Sequence, residues 1–418
     1  MMEKKISTIY SNGSKFLLYS LLLFSPLARG SVHYWQHTVI FLFALALLSL
    51  LLLEKGLTGK PCLYKTAVDK PIGALLLLCL VSLFFSVSKP DSVEAFFLLL
   101  SYLMLFYGTI YCIRTREDQR ELVYVICGIG AALVVIASFK ALGMTPSFWT
   151  YTELNYPKEF LSGVYGNHNH LAGYLEMAIP LLVALFLTRT RRGMVWAGLF
   201  CGSIMLVGCQ ILTMSRGGWF SLGTAMTFMT LALVLHQRFR SKKLLLLLFA
   251  SSLVIVFCVL SGSSLFDRAL SLADEETVLG MNGRVLAWKG TVALITEYPL
   301  LGAGPGTFAT IFPQFQPPGT TARFYQAHND YLQYLAEQGL LFLPLLGWMT
   351  FTLFHTARSK LHSTSRQTWG ITLGAMTGIV AILSHSFVDF NLHIPANAIL
   401  FTVLAAIVFG GPRAVVKK

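Results

Sequence analysis

Apolar stretches of about twenty residues recur from one end of this 418-residue chain to the other, and they constrain its fold more than any other feature. A helix of about twenty residues can cross the hydrocarbon core of a bilayer, which is roughly 30 Å thick. The stretches are continuous, whereas the strands of a membrane β-barrel would alternate apolar and polar residues. Because lipid offers the backbone no hydrogen bonds, continuous stretches predict an all-α, polytopic integral membrane protein.

The composition agrees with this prediction. Hydrophobic residues make up 55% of the chain and charged residues only 12%, against about 25% charged residues in soluble domains. We place twelve transmembrane helices at residues 15–29, 34–53, 71–88, 93–113, 120–142, 169–188, 194–213, 219–236, 243–261, 338–356, 368–387 and 395–411. The first stretch resembles a signal peptide, but the second follows so closely that we interpret the first as a permanent helix.

The net charge of +13 would suit a nucleic-acid-binding protein, but the distribution of the charge excludes that function. When the helices alternate from a cytoplasmic N-terminus, most of the 32 Lys and Arg residues fall on the cytoplasmic side, as membrane orientation requires. Their clusters are Lys4/Lys5/Lys15, Lys55/Lys60/Lys65/Lys70, Arg114/Arg116/Arg120, Arg189/Arg191/Arg192, Arg238/Arg240/Lys242/Lys243, Arg358/Lys360/Arg366 and Arg413/Lys417/Lys418. With no linker or internal repeat, the sequence predicts one membrane domain, residues 1–418, with both termini cytoplasmic.

The longest predicted outer loop covers residues 262–337. Loops of this length are usually functional or disordered. Within this one, Val285, Trp288, Val292 and Ile295 recur at helical spacing, and the proline and glycines that follow end the helix. We therefore expect a partly helical outer loop, with an amphipathic helix on the outer face of the membrane or over a cavity.

The end of this loop carries an unusually polar segment, "FYQAHNDYLQYLAEQGL", at residues 324–340. Gln326, Asp330, Gln333 and Glu337 form one stripe at helical spacing. A polar stripe that faced lipid would cost free energy, so we expect it to face a water-filled cavity.

Two further polar motifs fall on the predicted outer side. "GNHNHLAGYLEM" opens the sixth helix with His168 and His170, and "TMSRGGW" places Arg216 in the turn before the eighth. The glycines after Arg216 would leave bare backbone N–H groups beside the guanidinium, as an anion site requires. Plainer interpretations stay open: hydrated interfacial histidines, an arginine anchored at lipid headgroups, and a polar bundle contact for Glu176.

No metal or cofactor is expected. His168 and His170 form an H-x-H pair, which is a weak metal signal without a third ligand. The seven cysteines lie outside the predicted outer loops, so they indicate neither a disulfide framework nor a cysteine-based metal site.

Arginines and histidines at an external cavity indicate binding of an anionic ligand together with general-base catalysis. Cations suit an anionic ligand such as a phosphate, and a histidine titrates near neutrality and suits general-base work. The combination fits transfer from a phosphate-linked donor, whose leaving group needs charge neutralisation rather than a proton.

Five motifs, in this order, resemble the O-antigen ligase/polymerase superfamily. They are "GNHNHLAGYLEMAIP", "LTMSRGGW", "RVLAWKGTVALITEYPLLGAGPGTF", "AHNDYLQYLAEQGL" and "SHSFVDFNLHIPANA", the first and last being most similar to the polymerase-like members. The superfamily includes Wzy-type polymerases, WaaL-type ligases and related protein O-oligosaccharyltransferases. The resemblance runs from about residue 160 to residue 400, while the first five helices match mainly in hydropathy.

The resemblance implies a metal-independent, inverting glycosyltransferase of the bacterial inner membrane, with a GT-C-like helical fold and a periplasmic active site. Its donor would be an undecaprenyl-pyrophosphate-linked glycan, and its acceptor a glycan or glycolipid. His328 matches the family's essential histidine, Arg216 its essential turn arginine, and Arg284 an arginine placed to meet pyrophosphate. We predict catalytic roles for His328 and Arg216. Substrate-binding roles are predicted for Arg284, Asn329, Tyr331, His168, His170 and Glu176.

Three functions remain open from the sequence. A polymerase would join lipid-linked repeat units, and a ligase would transfer the glycan to lipid A-core. A lipid-glycan flippase would also need many helices and cationic pockets, but it should carry basic residues inside its spans, and here those are almost absent. We favour the polymerase because the long loop, apart from the assigned arginines, is net acidic and would repel a phosphorylated core.

The orientation can be tested directly. Reporter fusions or cysteine labelling should place residues 115–120, 190–193 and 358–366 in the cytoplasm and residues 262–337 outside, because the basic clusters stay on the cytoplasmic side. External labelling of residues 190–193 would overturn the orientation and the site assignments that depend on it.

Overall fold

The all-α prediction is confirmed. The structure, a computed structural model, describes residues 2–59, 64–144, 160–188, 193–235, 281–318, 323–363 and 365–411, and these residues contain no β-strand. Their α-helices are α1 Met2–Leu27, α2 Tyr34–Thr58, α3 Asp69–Phe84, α4 Lys89–Cys112, α5 Arg116–Ala141, α6 His168–Thr188, α7 Met194–Leu212, α8 Arg216–Leu235, α9 Met281–Glu297, α10 Phe308–Ile311, α11 Asp330–Gln338, α12 Phe342–Leu361, α13 Arg366–His385 and α14 Pro395–Phe409.

The helices coincide with the predicted spans. Every predicted span has its counterpart among α1–α8 and α12–α14, except 243–261, which lies outside the described residues. Seven helices of the described residues are long and apolar enough to cross a membrane, namely α2, α4, α5, α6, α7, α8 and α13. The apolar helix α14 is shorter. The chain is a polytopic helical membrane protein.

Large apolar side chains cover much of the outer surface of the bundle. Phe16, Leu77 and Phe351 are 70%, 62% and 69% exposed. A soluble monomer rarely leaves so much continuous apolar surface uncovered. These side chains therefore face lipid.

The centre of the bundle is α6, whose apolar stretch is completely buried. Helix α13 packs along it, and the contact depends on small residues: Gly370, Gly374 and Gly378 recur at intervals of four on α13. A Cβ atom on Gly378 would lie 2.7 Å from the backbone oxygen of Met177 in α6. Such small-residue stripes let two helix backbones approach closely in a membrane.

Helix α13 connects two chemically different ends of the bundle. At its start, Gln367 donates a hydrogen bond to the backbone oxygen of Arg116, within the basic cluster Arg114/Arg116/Arg120 where α4 leads into α5. At that end Arg114 pairs with the buried Glu54. His385 ends the helix about 27 Å further on, at a rise of ~1.5 Å per residue. The end of α13 at His385 therefore lies at the end of the bundle opposite the basic clusters, where the predicted outer site residues belong.

The described part of the long loop is folded. Helix α9 confirms the predicted helix, but a different face packs: Ala287 and Leu294 are buried in a small core with Phe308, Phe312 and Phe324. Two residues of the predicted stripe remain outside, with Val285 36% and Val292 50% exposed, while Ile295 packs against this core. Ala287 and Gly290 face inward because α9 lies close against the chain that follows it: a Cβ atom on Gly290 would lie 2.6 Å from the backbone oxygen of Phe315. The exposed valines fit a helix lying on the membrane. Residues 262–280 lie outside the described residues.

The polar stripe of residues 326–337 does not face a water-filled cavity, and that prediction is wrong. Gln333 and Glu337 are buried. Glu337 accepts hydrogen bonds from the backbone N–H groups of Gly306 and Phe308, at 2.9 and 3.3 Å. Gln333 accepts from the N–H of Ala327 at 2.9 Å. The stripe is polar because it satisfies the backbone of the folded loop.

A single methyl group can test the packing of α6 against α13. Gly378→Ala should lower the stability of the purified protein by about 1–3 kcal/mol, because the new Cβ meets a backbone atom that cannot turn aside. Gly347→Ala on α12, with nothing within 4 Å of its added Cβ, is the matched control. Equal melting temperatures for the two variants in detergent would contradict this account of the packing.

Candidate functional site

The turn before α8 carries Arg216 and is tightly packed. Ser215 caps the helix, because its hydroxyl accepts a hydrogen bond from the N–H of Gly218 at 3.1 Å. A Cβ atom on Gly217 would lie only 2.7 Å from Nε2 of His385. These glycines therefore serve close packing, and the expectation that they offer free N–H groups to an anion is wrong for Gly218. The turn fixes where the Arg216 side chain begins.

His385 and Glu176 form a buried pair beside this turn. Nδ1 of His385 lies 3.1 Å from both carboxylate oxygens of Glu176, with the two side chains 1% and 0% exposed. The pair joins α6 to α13, and the other ring nitrogen of His385 faces Gly217. Removing one partner of such a buried pair is costly, so it ties the Arg216 turn firmly to the bundle.

His328 occupies the residue before the cap of α11 and has a strained backbone. Its φ is +51°, in the left-handed region that residues other than glycine rarely adopt. Its carbonyl oxygen accepts a hydrogen bond from the indole of Trp288 at 3.3 Å. Asn329 caps α11 by accepting from the N–H of Leu332 at 3.0 Å, and it also donates to the carbonyl of Phe387 at 2.9 Å. Strain held by such contacts is typical of functional positions.

Asp330 anchors this segment to the loop after α13. Its carboxylate accepts hydrogen bonds from the hydroxyl of Ser386 at 2.7 Å and from the N–H of Leu392 at 3.0 Å. It also contacts Nδ1 of His393. Burial by itself would lower the pKa of His393, but the hydrogen bond and charge of Asp330 raise the pKa above its ordinary value. The anchor brings the His328 segment onto the end of α13.

Asp389 lies where the segments meet, and no role was predicted for it. Its carboxylate is 3.6 Å from Nη2 of Arg284 and 3.7 Å from Nδ1 of His328, and its side chain is 1% exposed. Burial by itself would raise the pKa of this carboxyl group, but His328 and the charge of Arg284 hold the pKa of Asp389 well below its ordinary value. The carboxylate is therefore ionised at neutral pH.

Several buried polar atoms at this point have no hydrogen-bond partner among the described residues. They are Nε of Arg284, Nδ1 of His328, Oδ2 of Asp389 and Nε2 of His170. Buried polar atoms in folded proteins are nearly always satisfied by protein, water or a ligand. A concentration of unsatisfied donors around one carboxylate is what a binding site for a polar ligand requires.

The ring of Phe390 contacts the rings of two histidines, His328 and His170. Its ring lies 5.0 Å from the ring of His328 and 4.9 Å from that of His170, edge-on to both. His168 is the first residue of α6, and its ring lies 4.8 Å from the ring of Phe160. The start of α6 and the end of the long loop thus contribute to one site.

The structure gathers His328, Arg284 and His170 around Asp389, and His385 connects them to the Arg216 turn. The other predicted residues contribute hydrogen bonds within the fold: Asn329 caps α11, the Tyr331 hydroxyl donates to the carbonyl of Leu383 at 2.8 Å, and Glu176 holds His385. Their roles toward substrate stay predictions. Within the described ranges, no three His, Cys, Asp or Glu side chains are grouped to hold a metal ion.

Sequence reasoning missed Asp389, His385 and Phe390. All three lie in "SHSFVDFNLHIPANA", which contributed to the resemblance without receiving a role. An acidic residue and two histidines between two apolar helices were the available signal, since ionisable residues at membrane depth are usually functional.

These features define a class: a polytopic helical membrane protein with a buried site of arginine, histidine and aspartate at one end of its bundle. A comparison with protein families finds a match within the chain. Residues 201–347 match the family model described as O-antigen ligase. This match, over about a third of the chain, confirms the predicted resemblance to the O-antigen ligase/polymerase superfamily and supports an O-antigen ligase/polymerase type of function. No curated protein matches the chain.

The matched segment holds Arg216, Arg284 and His328. Asp389 and His170 lie outside it, on either side. The site therefore combines the matched segment with helices that precede and follow it.

Proposed function

We propose that this protein is an inverting membrane glycosyltransferase of the bacterial inner membrane. It moves an undecaprenyl-pyrophosphate-linked glycan onto a sugar hydroxyl at the periplasmic face, without a metal ion. In this proposal the fold has twelve transmembrane helices in a GT-C-like arrangement, and both termini are cytoplasmic.

One observation carries the proposal: Arg284 and His328 converge on the buried Asp389, at the end of the bundle opposite the basic clusters. Basic clusters mark the cytoplasmic side of a membrane protein. A site at the other end is accessible from the periplasm, where lipid-linked glycans of this superfamily would be used.

The chemistry assigns a task to each side chain. The acceptor hydroxyl oxygen attacks the anomeric carbon of the donor, while the bond from that carbon to the pyrophosphate oxygen breaks. His328 takes the hydroxyl proton as general base. The pyrophosphate keeps the electron pair, and Arg216 and Arg284 neutralise its growing charge. Attack from the face opposite the leaving group inverts the anomeric configuration.

The carboxylates of the site are not placed to act as general acids, and the proposed reaction does not require one. Pyrophosphate leaves as a stable anion, so no general acid has to protonate it. Asp389 is ionised and cannot donate a proton, while Asp330 is bound to the fold by its contacts with Ser386, Leu392 and His393. The paired carboxylic acids of a glycoside hydrolase are not needed for this reaction.

We favour polymerisation of repeat units over ligation to lipid A-core, on the charge of the long loop. Beyond the assigned arginines, this loop carries Arg268, Lys289 and Arg323 against Asp267, Asp274, Glu275, Glu276 and Glu297. Lys289, Glu297 and Arg323 are exposed in the structure, and the others lie outside the described residues. A net acidic surface repels a phosphorylated glycolipid.

Transport of the lipid-linked glycan is the second candidate function, and the helices disfavour it. In the described candidate spans, Lys and Arg residues lie near helix ends, as Arg216 does in α8 and Lys140 in α5. A polar path through the bilayer would need such residues along the span. Turnover also separates the functions, because a transporter leaves the glycan–pyrophosphate bond intact.

Replacing the proposed base or the turn arginine should abolish transfer. His328→Ala removes the proton acceptor, and Arg216→Ala removes a cation from the pyrophosphate. Arg216→Lys should also be severely impaired, because an ammonium group cannot grip phosphate with two parallel hydrogen bonds. The measurement is glycan transfer by purified protein from a lipid-linked donor.

The controls are His362→Ala and Arg323→Ala, two exposed residues of the same types away from Asp389. Both should keep normal transfer. Near-normal rates in His328→Ala or Arg216→Ala, with normal expression, would contradict the proposed mechanism.

Acceptor choice separates polymerase from ligase. Given only lipid-linked repeat units, the purified protein should produce a ladder of longer lipid-linked glycans, because a second repeat unit serves as acceptor. If no ladder forms, yet glycan moves to lipid A-core once that is added, the protein is the ligase.

A further inference from the structure

We propose that Asp389 is a positioning residue: its carboxylate orients the imidazole of His328 for proton transfer and holds Arg284 in place beside it. This inference rests on the proposed function, in which His328 is the general base. It adds to the site a residue outside the segment that matches the family model.

The position of Asp389 is fixed from several sides. Its backbone N–H donates to the carbonyl of His385 at 3.1 Å, and its carbonyl accepts from the N–H of Asp330 at 3.2 Å. One carboxylate oxygen also accepts from the N–H of Phe390 at 2.8 Å. These bonds tie Asp389 both to the end of α13 and to the segment that carries His328. A carboxylate held this firmly can orient its neighbours.

The carboxylate selects one form of the neutral imidazole. Nδ1 of His328 is the ring nitrogen that faces Asp389. A carboxylate there favours the tautomer with its hydrogen on Nδ1, which leaves the lone pair of Nε2 to accept a proton from the acceptor hydroxyl. The 3.7 Å separation is longer than a hydrogen bond. Such contacts often tighten only when substrate is bound.

The same carboxylate keeps two cations together. Arg284 lies on its other side, so a protonated His328 and the guanidinium would face each other if the carboxylate were absent. The buried negative charge between them lowers this repulsion, both before and after His328 accepts a proton. Arg284 adds one more reason for a fixed geometry, since it must meet the pyrophosphate while His328 meets the hydroxyl.

Asp330, the neighbouring carboxylate, is bound elsewhere. Its two oxygens accept from Ser386, Leu392 and His393. Of the carboxylates in the described residues, Asp389 is the one within ion-pair distance of both His328 and Arg284. The positioning role therefore falls to Asp389.

The test compares wild-type protein with Asp389→Asn and Asp389→Glu in the transfer assay, as a function of pH. Asn keeps the shape but removes the charge, so kcat should fall by up to about 10⁴-fold, as expected when a histidine base loses the carboxylate that sets its tautomer. The acid limb of the rate profile should move to lower pH by about one unit, because His328 loses a neighbouring anion. Glu should restore part of the rate. Glu117→Gln, a carboxylate-to-carboxamide exchange at an exposed residue of α5, should change neither quantity.

The pH profile distinguishes positioning from a merely structural role. Other charged or titratable groups around Asp389 and His328 stay the same in all variants: Arg284 of α9, His170 and Glu176 of α6, His385 of α13, and Asp330. A slower Asp389→Asn enzyme with an unshifted acid limb would overturn the proposal, as would an unchanged rate.

A second measurement does not depend on glycan transfer. Diethyl pyrocarbonate modifies unprotonated imidazoles, and mass spectrometry can follow its reaction at His328 over a pH series. The midpoint of this reaction should be lower in Asp389→Asn than in wild type. Identical midpoints in the two proteins would overturn the positioning role, whatever activity the protein has. A shifted midpoint in a protein that transfers no glycan would support the contact between Asp389 and His328 but reject the proposed function.

Discussion

The close contact between α6 and α13 is the constraint on which the rest of the structure depends. Gly374 and Gly378 let the two backbones approach, and the buried pair of His385 and Glu176 fixes them at one end. Because lipid supplies no hydrophobic force between helices, such packing and hydrogen bonding must determine their arrangement. Gly217 of α8 packs closely against His385 at the end of α13, and this contact fixes the position of the Arg216 turn.

The site is built on this junction from pieces that are far apart in sequence. The loop after α13 supplies Asp389, and Asp330 fastens the segment of His328 to that loop. Helix α9 adds Arg284 and holds the carbonyl of His328 through Trp288. Charges at this depth are costly unless paired, so one buried carboxylate between two cationic groups organises the site and limits where an anionic ligand can bind.

Hydropathy located the helices well, as the agreement between predicted spans and α1–α8 and α12–α14 shows. It found only part of the face on which α9 packs, because Ile295 alone of the predicted apolar stripe lies against the loop core. The apolar residues Val285 and Val292 are exposed there, while Ala287 packs inside, because a helix at a membrane can leave apolar side chains outward. The polar stripe failed for a related reason: Glu337 satisfies backbone N–H groups, and such a role depends on the fold of a distant loop.

The sequence by itself determined the class of fold, the membrane setting and the candidate residues Arg216, Arg284 and His328, because hydropathy, charge bias and motif order are properties of the linear chain. Only the tertiary structure decided that Asp389 stands between two of these residues and that His385 supports the third. Whether a polar side chain satisfies the backbone or faces a ligand depends on which atoms surround it. Those atoms come from helices that the sequence alone does not bring together.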